Sequence, residues 1–434
     1  MKILLVGSGG REHALALKLT ASPTPVELVS APGSDALGQL GTRLPCDGED
    51  LQGIAAWAME HLPDLAVIGP EAPLVAGLAE ALTGLGIPVF GHPQSTARLE
   101  GSKAFAKAFM ERHGLPCAWS HTITDLAEGE ALIRHWPHPY PIVLKADGLA
   151  AGKGVVLAGT EAEALETLRA FLGGQFGEAS RTIVFEEPLA GMELSLHVLV
   201  DVTRDRAKFA LLPACQDHKR IFEDDLGPNT GGMGAFGPLP FLRAEDVALM
   251  RQKLVEPTVR GLQADGLEGR GVLFLGVMWT AAGPKLLEYN VRFGDPETQV
   301  LMQLLDEDLP SLLLEVAEHR FDGRELKTRS GCAISVVLAA EGYPESAKKG
   351  VPITVGKTAS TLVHAGTRLQ DGGWVTSGGR VLNLCATAAD LGAARAVVDR
   401  DLDSVTWPGR QVRRDIGLRA LRHAEAGKGV QDPW

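Results

Sequence analysis

Residues 287–293 read Leu-Glu-Tyr-Asn-Val-Arg-Phe. On a strand, side chains alternate between two faces, so Glu288, Asn290 and Arg292 share one face and Leu287, Tyr289 and Val291 the other. Glu288 and Asn290 offer hard oxygen donors suited to magnesium, whose remaining positions water and phosphate oxygens can fill. Arg292 is too cationic for a metal ligand, but its planar fork suits the γ-phosphate or an acyl phosphate as charge redistributes. Residues 292–297 continue as Arg-Phe-Gly-Asp-Pro-Glu. Gly294 and Pro296 turn the chain there and bring Asp295 and Glu297 near the same cleft. The competing reading is an edge strand with a solvated polar face.

A second candidate phosphate site lies at residues 140–155, where a hydrophobic strand ends in Lys145 and is followed by a glycine-containing turn with Lys153. Lys145 can approach the α and β phosphates of ATP while Gly152, Lys153 and Gly154 cover the chain of phosphates. This is no Walker A loop: the glycine spacing from Gly148 to Lys153 is wrong, and Gly154 stands where Ser or Thr would help hold magnesium. Lys103, at the entrance to a helix, is a weaker candidate. In residues 185–195, backbone groups around Glu187 and Leu189 can read an adenine edge, and a carboxylate can accept from ribose hydroxyls. Residues 216–220, Gln-Asp-His-Lys-Arg, concentrate donors and acceptors just before a glycine-rich loop at 227–234, a combination fit to shape an acceptor pocket. His218 needs only to orient a substrate there as a neutral imidazole. Near the start, Gly7 and Gly9 begin a GxGxxG pattern that Glu12 breaks, so the dinucleotide fingerprint is incomplete. The turn can still present backbone N–H groups and Arg11 to a phosphate.

These segments need several elements to hold them. The chain has 434 residues, 45% of them hydrophobic, enough for two to four compact units. A net charge of −12 argues against a large nucleic-acid surface. The five cysteines are scattered without a CxxC pair, which disfavours a disulfide scaffold. Without a signal-like start or an apolar run of roughly 18 residues, no membrane association is expected and the cytoplasm is the default.

Residues 1–101 alternate strand candidates (3–6, 26–29, 65–68, 88–90) with helical patterns (11–19, 51–61, 74–85), which predicts a mostly parallel sheet covered by helices. A second unit spans 102–330. Within it, residues of about 119–190 form a small α+β subdomain with strands at 142–145, 154–157 and 183–186 and a helix at 161–172. A strand at 194–201, a loop at 226–240, a hairpin of 272–279 with 286–293, and a helix at 298–304 follow. The last unit, 331–434, has short strands at 332–338, 351–353 and 362–365 and a polar tail after Glu425.

Taken in order, residues 7–13, 140–155, 216–220, 227–234 and 287–299 resemble the phosphoribosylamine–glycine ligases, or glycinamide ribonucleotide synthetases, of the ATP-grasp superfamily. The resemblance covers the chain from its start through the catalytic core, and the length and final unit are similar too. It implies an α/β and α+β multidomain fold: a preATP-grasp N-domain, an ATP-grasp core with a small lid subdomain, and a mixed α/β C-terminal domain that completes the acceptor site. The implied reaction joins glycine to 5-phosphoribosylamine through glycyl phosphate, giving glycinamide ribonucleotide, ADP and phosphate in purine synthesis. Magnesium is the implied ion, with manganese as the alternative, and a monomer is expected with a homodimer left open.

The resemblance assigns Arg292 and Lys145 to catalysis. Nucleotide contacts fall to Lys103, Lys145, Gly152, Lys153, Gly154, Glu187, Leu189 and Glu193, and metal binding to Glu288 and Asn290. On the substrate side stand Gly9, Gly10, Asp217, His218, Lys219, Asn229, Gly231, Gly232, Arg292, Gly294, Asp295 and Pro296. Pro188, where a larger apolar residue is common, and Phe236, in place of a frequent tyrosine, depart from the family pattern. A ligase for another carboxylate within the superfamily, and a catalytically silent nucleotide-binding scaffold, are the competing readings.

Overall fold

The computed structural model describes residues 1–44, 46, 50–149 and 154–432. Gly152 and Lys153, assigned above to the nucleotide, lie outside the described residues.

The first strand, Lys2–Gly7, runs between Glu27–Pro32 and Leu65–Ile68, and Thr42–Arg43 and Val89–Phe90 complete an all-parallel sheet. Period-two alternation sends Leu4 and Val6 into one apolar cluster and Ile3 and Leu5 into another, so both faces are covered. The helical pattern over 74–85 divides into Glu71–Val75 and Leu78–Thr83, with Gly77 at φ +89° between them.

Four antiparallel strands follow in the spatial order Arg206–Leu211, Met192–Thr203, Gly269–Thr280, Gly283–Asn290. Beside them stands a small sheet of Ser120–Ile123, Ile183–Glu186, Ile142–Ala146 and Val155–Ala158. Helices Leu126–Arg134 and Glu161–Leu172 cover it, started by the side-chain caps of Asp125 and Thr160. This subdomain has a hydrophobic core of its own, with Leu144, Leu168, Phe171 and Phe185 at its centre.

The third large sheet crosses the expected division of the chain. It orders Gln216–Asp217, Gly234–Gly237, Cys332–Ala339, Arg380–Ala388 and Thr361–His364 side by side, with Gln411–Val412 also on Cys332–Ala339. The stretch 226–240, expected as loop, therefore contains two strands. Leu226–Asn229 pairs with Arg220–Phe222, and Gly234–Gly237 is stitched to Cys332–Ala339 from the other side of the chain. Glycine-rich composition hides such strands, because the partner and not the local propensity supplies the stabilisation. Residues 351–353, expected as a strand, contribute only a single bridge, Pro352 to Val375. The expected tail is packed down: Val430 is buried, and His423 Nε2 pairs with the Gly429 carbonyl at 2.9 Å. Among the described residues no helix is long and apolar enough to cross a membrane.

Candidate active site

The hairpin that carries Glu288 departs from simple alternation. Gly276 faces Glu288 and Val277 faces Leu286, so Leu287 is the extra residue of a bulge. Leu286, Tyr289 and Val291 thus enter the core in place of the expected Leu287, Tyr289 and Val291. The strand ends at Asn290, and Arg292 projects from the bend beyond it.

Three lysines converge on Glu288. Burial alone would push this carboxyl up, but Lys219, Lys145, Lys103 and Arg292 together hold it below its ordinary range. Each lysine comes from a different element. Lys103 opens the helix Lys103–Arg112, which Ser102 caps; Asp147 accepts from the backbone of Ala104 at 2.7 Å and from the Ser102 hydroxyl. Lys145 is buried on the small sheet, 2.9 Å from Glu186 Oε1. Lys219 is ion-paired to Glu193. A set of cations around one ionised carboxylate suits a polyphosphate with an associated metal. The Gly154 carbonyl accepts from the Ala146 N–H at 2.8 Å.

Arg292 is less free than expected. Its Nε donates to Glu71 at 3.1 Å, and one Nη donates to Glu100 at 2.7 Å and to Asn290 Oδ1 at 3.1 Å. The other Nη donates to the Phe293 carbonyl at 3.3 Å. Both acids come from the N-terminal unit. Glu100, buried, is pushed up to about 7 despite Arg292, while Arg292 overcomes burial's pull on Glu71 and keeps that carboxyl low. The donors to Asn290 and the cations on Glu288 test the metal assignment. These are two hard oxygen groups on one strand, and among the described residues no cluster of three or more acidic, His or Cys side chains stands ready for an ion. Such a pair fits magnesium shared with phosphate oxygens rather than an all-protein cage.

The acceptor-side segments meet at one junction. A Cβ on Gly232, at φ +113°, would lie 2.6 Å from both Asp217 Oδ1 and Pro296 Cδ, so the glycine loop passes directly over the 294–296 turn. That turn is held by the Gly294 N–H donating to His197 Nε2 at 3.1 Å. Arg380, from the C-terminal unit, ties the two loops together, donating to the carbonyls of Gly231 at 2.7 Å and Asp295 at 2.6 Å. Tyr343 accepts from the Gly231 N–H at 3.0 Å. Burial and the nearby Glu297 carboxylate push Asp217 well up, and burial pushes Glu297 up as well. Gly9 and Gly10 reach this junction from the other side. A Cβ on Gly9 would lie 3.8 Å from Asp295 Oδ2, and one on Gly10 would lie 2.8 Å from Gln299 Nε2.

Several expected groups are placed differently. The Arg11 side chain is committed to Glu12 at 2.7 Å and to the Phe293 carbonyl at 3.1 Å, and Glu12 also accepts from the Gly9 N–H at 2.7 Å. The residue that breaks the glycine fingerprint thus caps the helix itself, and its carboxylate opposes a phosphate at that end. The His218 ring is buried, accepts from the Gly417 N–H at 3.2 Å, and is pushed down to about 4 chiefly by burial. Through that bond it braces the C-terminal unit. Asn229 is exposed, opposite Arg220 in the small hairpin. Glu187 is occupied by the Trp119 N–H at 3.0 Å and Lys285 at 3.1 Å, and Leu189 lies partly exposed in the linker after it. Local pattern had no means of finding Glu71, Glu100 or Arg380. Lys107 was within reach, since it lies one helical turn after Lys103.

An antiparallel core sheet facing a small α+β lid across a lysine-lined cleft, with a parallel-sheet unit in front, defines an ATP-grasp enzyme. Family models for phosphoribosylglycinamide synthetase match in chain order: the N domain at residues 1–100, the ATP-grasp (A) domain at 101–298 and the C domain at 333–419. The chain belongs to this family. It is 46% identical to the phosphoribosylamine–glycine ligase of Brucella melitensis, across 99% of this chain and 100% of that one. The corresponding ligase of Caulobacter vibrioides is also 46% identical, over 97% and 99% of the two chains. The crystal structure of the Thermotoga maritima phosphoribosylamine–glycine ligase superposes with a TM-score of 0.83 at 33% identity, covering 96% of this chain and all 100% of that one. A biotin carboxylase domain from Hydrogenobacter thermophilus shares the fold at 16% identity, with a TM-score of 0.75.

Proposed function

We propose that the cleft activates glycine as glycyl phosphate and passes the glycyl group to the amine of 5-phosphoribosylamine. The chain is an ATP-dependent ligase of glycine and phosphoribosylamine in purine biosynthesis. The observation that supports this route is the convergence of Lys103, Lys145, Lys219 and Arg292 on Glu288, next to the glycine-loop junction.

A glycine carboxylate oxygen attacks the γ-phosphorus, forming a P–O bond while the bond to the β–γ bridging oxygen breaks and ADP departs. The phosphoribosylamine nitrogen then attacks the acyl carbon. The C–N bond forms, the C–O bond to phosphate breaks, and the amine loses one proton. Lys145 and Lys103 bind phosphate oxygens and offset the charge that builds on them. Lys219, ion-paired to Glu193 and within electrostatic reach of Asp217, links the nucleotide end to the acceptor end. Arg292 holds the Asn290 oxygen in place and is itself kept in register by Glu71 and Glu100. Gly232, Pro296 and Gly9 bring backbone close over the reactants and keep water from the acyl phosphate.

Glu288 and Asn290 are the proposed magnesium ligands, and manganese is the alternative that the same oxygen donors accept. When bound, the ion supplies neutralisation of polyphosphate charge. Glu187, Leu189 and residues Gly152, Lys153 and Gly154 are proposed for the nucleotide, and Gly9, Gly10, Asp217, Asp295 and the neighbouring loops for the substrates. Unit boundaries near 101 and 331 are proposed, with residues 216–217 and 234–237 shared into the last sheet. A monomer working in the cytoplasm completes the reading.

The test is a product assay with purified chain, ATP, magnesium, glycine and freshly generated 5-phosphoribosylamine. Glycinamide ribonucleotide and ADP should appear in equal amounts. ADP release that proceeds at the same rate without either substrate, or nucleotide binding with no product, would refute the reading.

A further inference from the structure

Lys107 plays no part in the chemistry described above, yet it is among the most buried charged residues of the chain. It lies on the helix Lys103–Arg112 and is only 6% exposed. Its ammonium is 3.2 Å from Glu186 Oε1, and Lys145 Nζ is 2.9 Å from that same oxygen. Glu186 is itself 2% exposed, on the strand Ile183–Glu186 that pairs with the strand of Lys145. Neither Lys107 Nζ nor Glu186 Oε1 has a hydrogen-bonding partner of good geometry, so these pairings are Coulombic. Two ammoniums therefore share one carboxylate, with one positive charge in excess.

A buried carboxylate with a single cation would hold it firmly, because charge attraction strengthens as water is excluded. Were Lys145 the sole partner, its move to a phosphate would strand Glu186 as an uncompensated buried charge, which is strongly unfavourable. Lys107 removes that obstacle. It comes from the helix Lys103–Arg112 and not from Lys145's strand, so its pairing with Glu186 can persist whichever anion Lys145 meets.

We infer that Lys107 is a positioning residue for nucleotide capture: it is the standing counter-ion of Glu186, and it lets Lys145 exchange that carboxylate for the phosphate oxygens of ATP. The inference rests on Lys145 being a nucleotide ligand, as proposed above. A purely structural lysine would affect melting but not the balance between Lys145's two anionic partners.

The experiment is calorimetric titration of the full chain with magnesium ADP, alongside steady-state kinetics. Lys145→Met should weaken ADP binding by about tenfold or more. Unchanged binding there would remove the nucleotide role of Lys145, and the exchange with it. With that role in hand, Lys107→Met should weaken ADP by about tenfold while leaving the glycine KM unchanged, because Glu186 then competes fully for Lys145. Adding Glu186→Gln to Lys107→Met should restore ADP affinity to within about threefold of the wild type. Wild-type affinity in Lys107→Met, or a double variant that binds no better than the single, would overturn the inference. If Lys107→Met does not fold, the double variant decides alone, since it removes the Glu186 charge together with its counter-ion and leaves Lys145 facing Glu288. A loss of about tenfold in that variant would refute the exchange.

Discussion

Replacing Arg380 with Met should lower kcat/KM for 5-phosphoribosylamine by about 10²- to 10³-fold while leaving ADP affinity nearly unchanged. One Nη of Arg380 donates to the Gly231 carbonyl at 2.7 Å and the Asp295 carbonyl at 2.6 Å, and the other lies 3.3 Å from Asp295 Oδ2. Hydrogen bonds to a charged group each contribute roughly 1.5–3 kcal/mol. These three share one guanidinium and do not add. The side chain is also 22% exposed, so water replaces part of what is lost. A net loss of about 3–4 kcal/mol follows, and each ~1.4 kcal/mol is tenfold. The loss is expected on acceptor kinetics because both partners, the glycine loop and the 294–296 turn, belong to the proposed acceptor side of the cleft. Arg380→Lys keeps the charge without the planar fork and should recover only part of the rate. The measurements are kinetics with varied phosphoribosylamine, ADP titration, and thermal melting to show that the fold is intact. A kcat/KM within about threefold of wild type, or an equal loss of ADP affinity, would refute the idea that Arg380 acts by joining those two loops.

Glu288→Gln keeps the shape but removes the charge, so turnover should fall about 100-fold and the magnesium concentration for half-maximal rate should rise about tenfold; unchanged metal dependence would exclude Glu288 as a ligand. Gly232→Ala places a Cβ 2.6 Å from Asp217 and Pro296 at a φ of +113°, which should cost ~1–3 kcal/mol of stability and raise the acceptor KM. Wild-type melting and kinetics in that variant would mean that the loop has room the structure denies. His319 is raised to about 9, burial opposing this while Asp201 at 2.7 Å and Glu268 at 3.0 Å favour the imidazolium. A raised folded pKa gives stability that is full below about 6.5 and is lost as pH rises through about 9, worth up to ~3 kcal/mol. Urea melts from pH 6 to 10 should show that decline in the wild type and a flatter profile in His319→Gln; parallel profiles would rule His319 out.

What the sequence shows of this molecule depends on distance along the chain. The parallel sheet of the first unit was legible because its strands are continuous apolar runs separated by helices. The strands Met192–Thr203 and Gly269–Thr280 were found short at both ends, and 286–293 began late and overran Asn290, since pattern locates an element better than its limits. The bulge at Leu287 was invisible because it exists only against Gly276 on the partner strand. The strand Gly234–Gly237 was hidden because its stability comes from Cys332–Ala339, about a hundred residues later. Glu12, by contrast, was noticed as the residue that breaks a glycine pattern. Its meaning as a helix cap that fills the space between Gly7 and Gly69 needed the turn around it.

Charge is where reading residues one at a time falls furthest short. Residue type makes Arg292 a cation free for phosphate, but its guanidinium reaches the site already matched to Glu71 and Glu100. Those acids belong to the parallel-sheet unit and lie 221 and 192 residues away in sequence. With both ionised, the three groups carry a net negative charge; with Glu100 protonated, they are neutral. In neither state does Arg292 offer the excess positive charge that a polyphosphate needs, whereas Lys103, Lys145, Lys219 and Lys107 outnumber Glu288, Glu186 and Glu193 by one. The proposed division of labour is physical: the lysines attract and neutralise, while Arg292 orients Asn290 and ties the first unit to the strand of Glu288. Glu71→Gln tests that division, since it should release Arg292 on one side and raise the magnesium requirement more than the ATP KM. An effect confined to the ATP KM would return Arg292 to the role of a phosphate-binding cation.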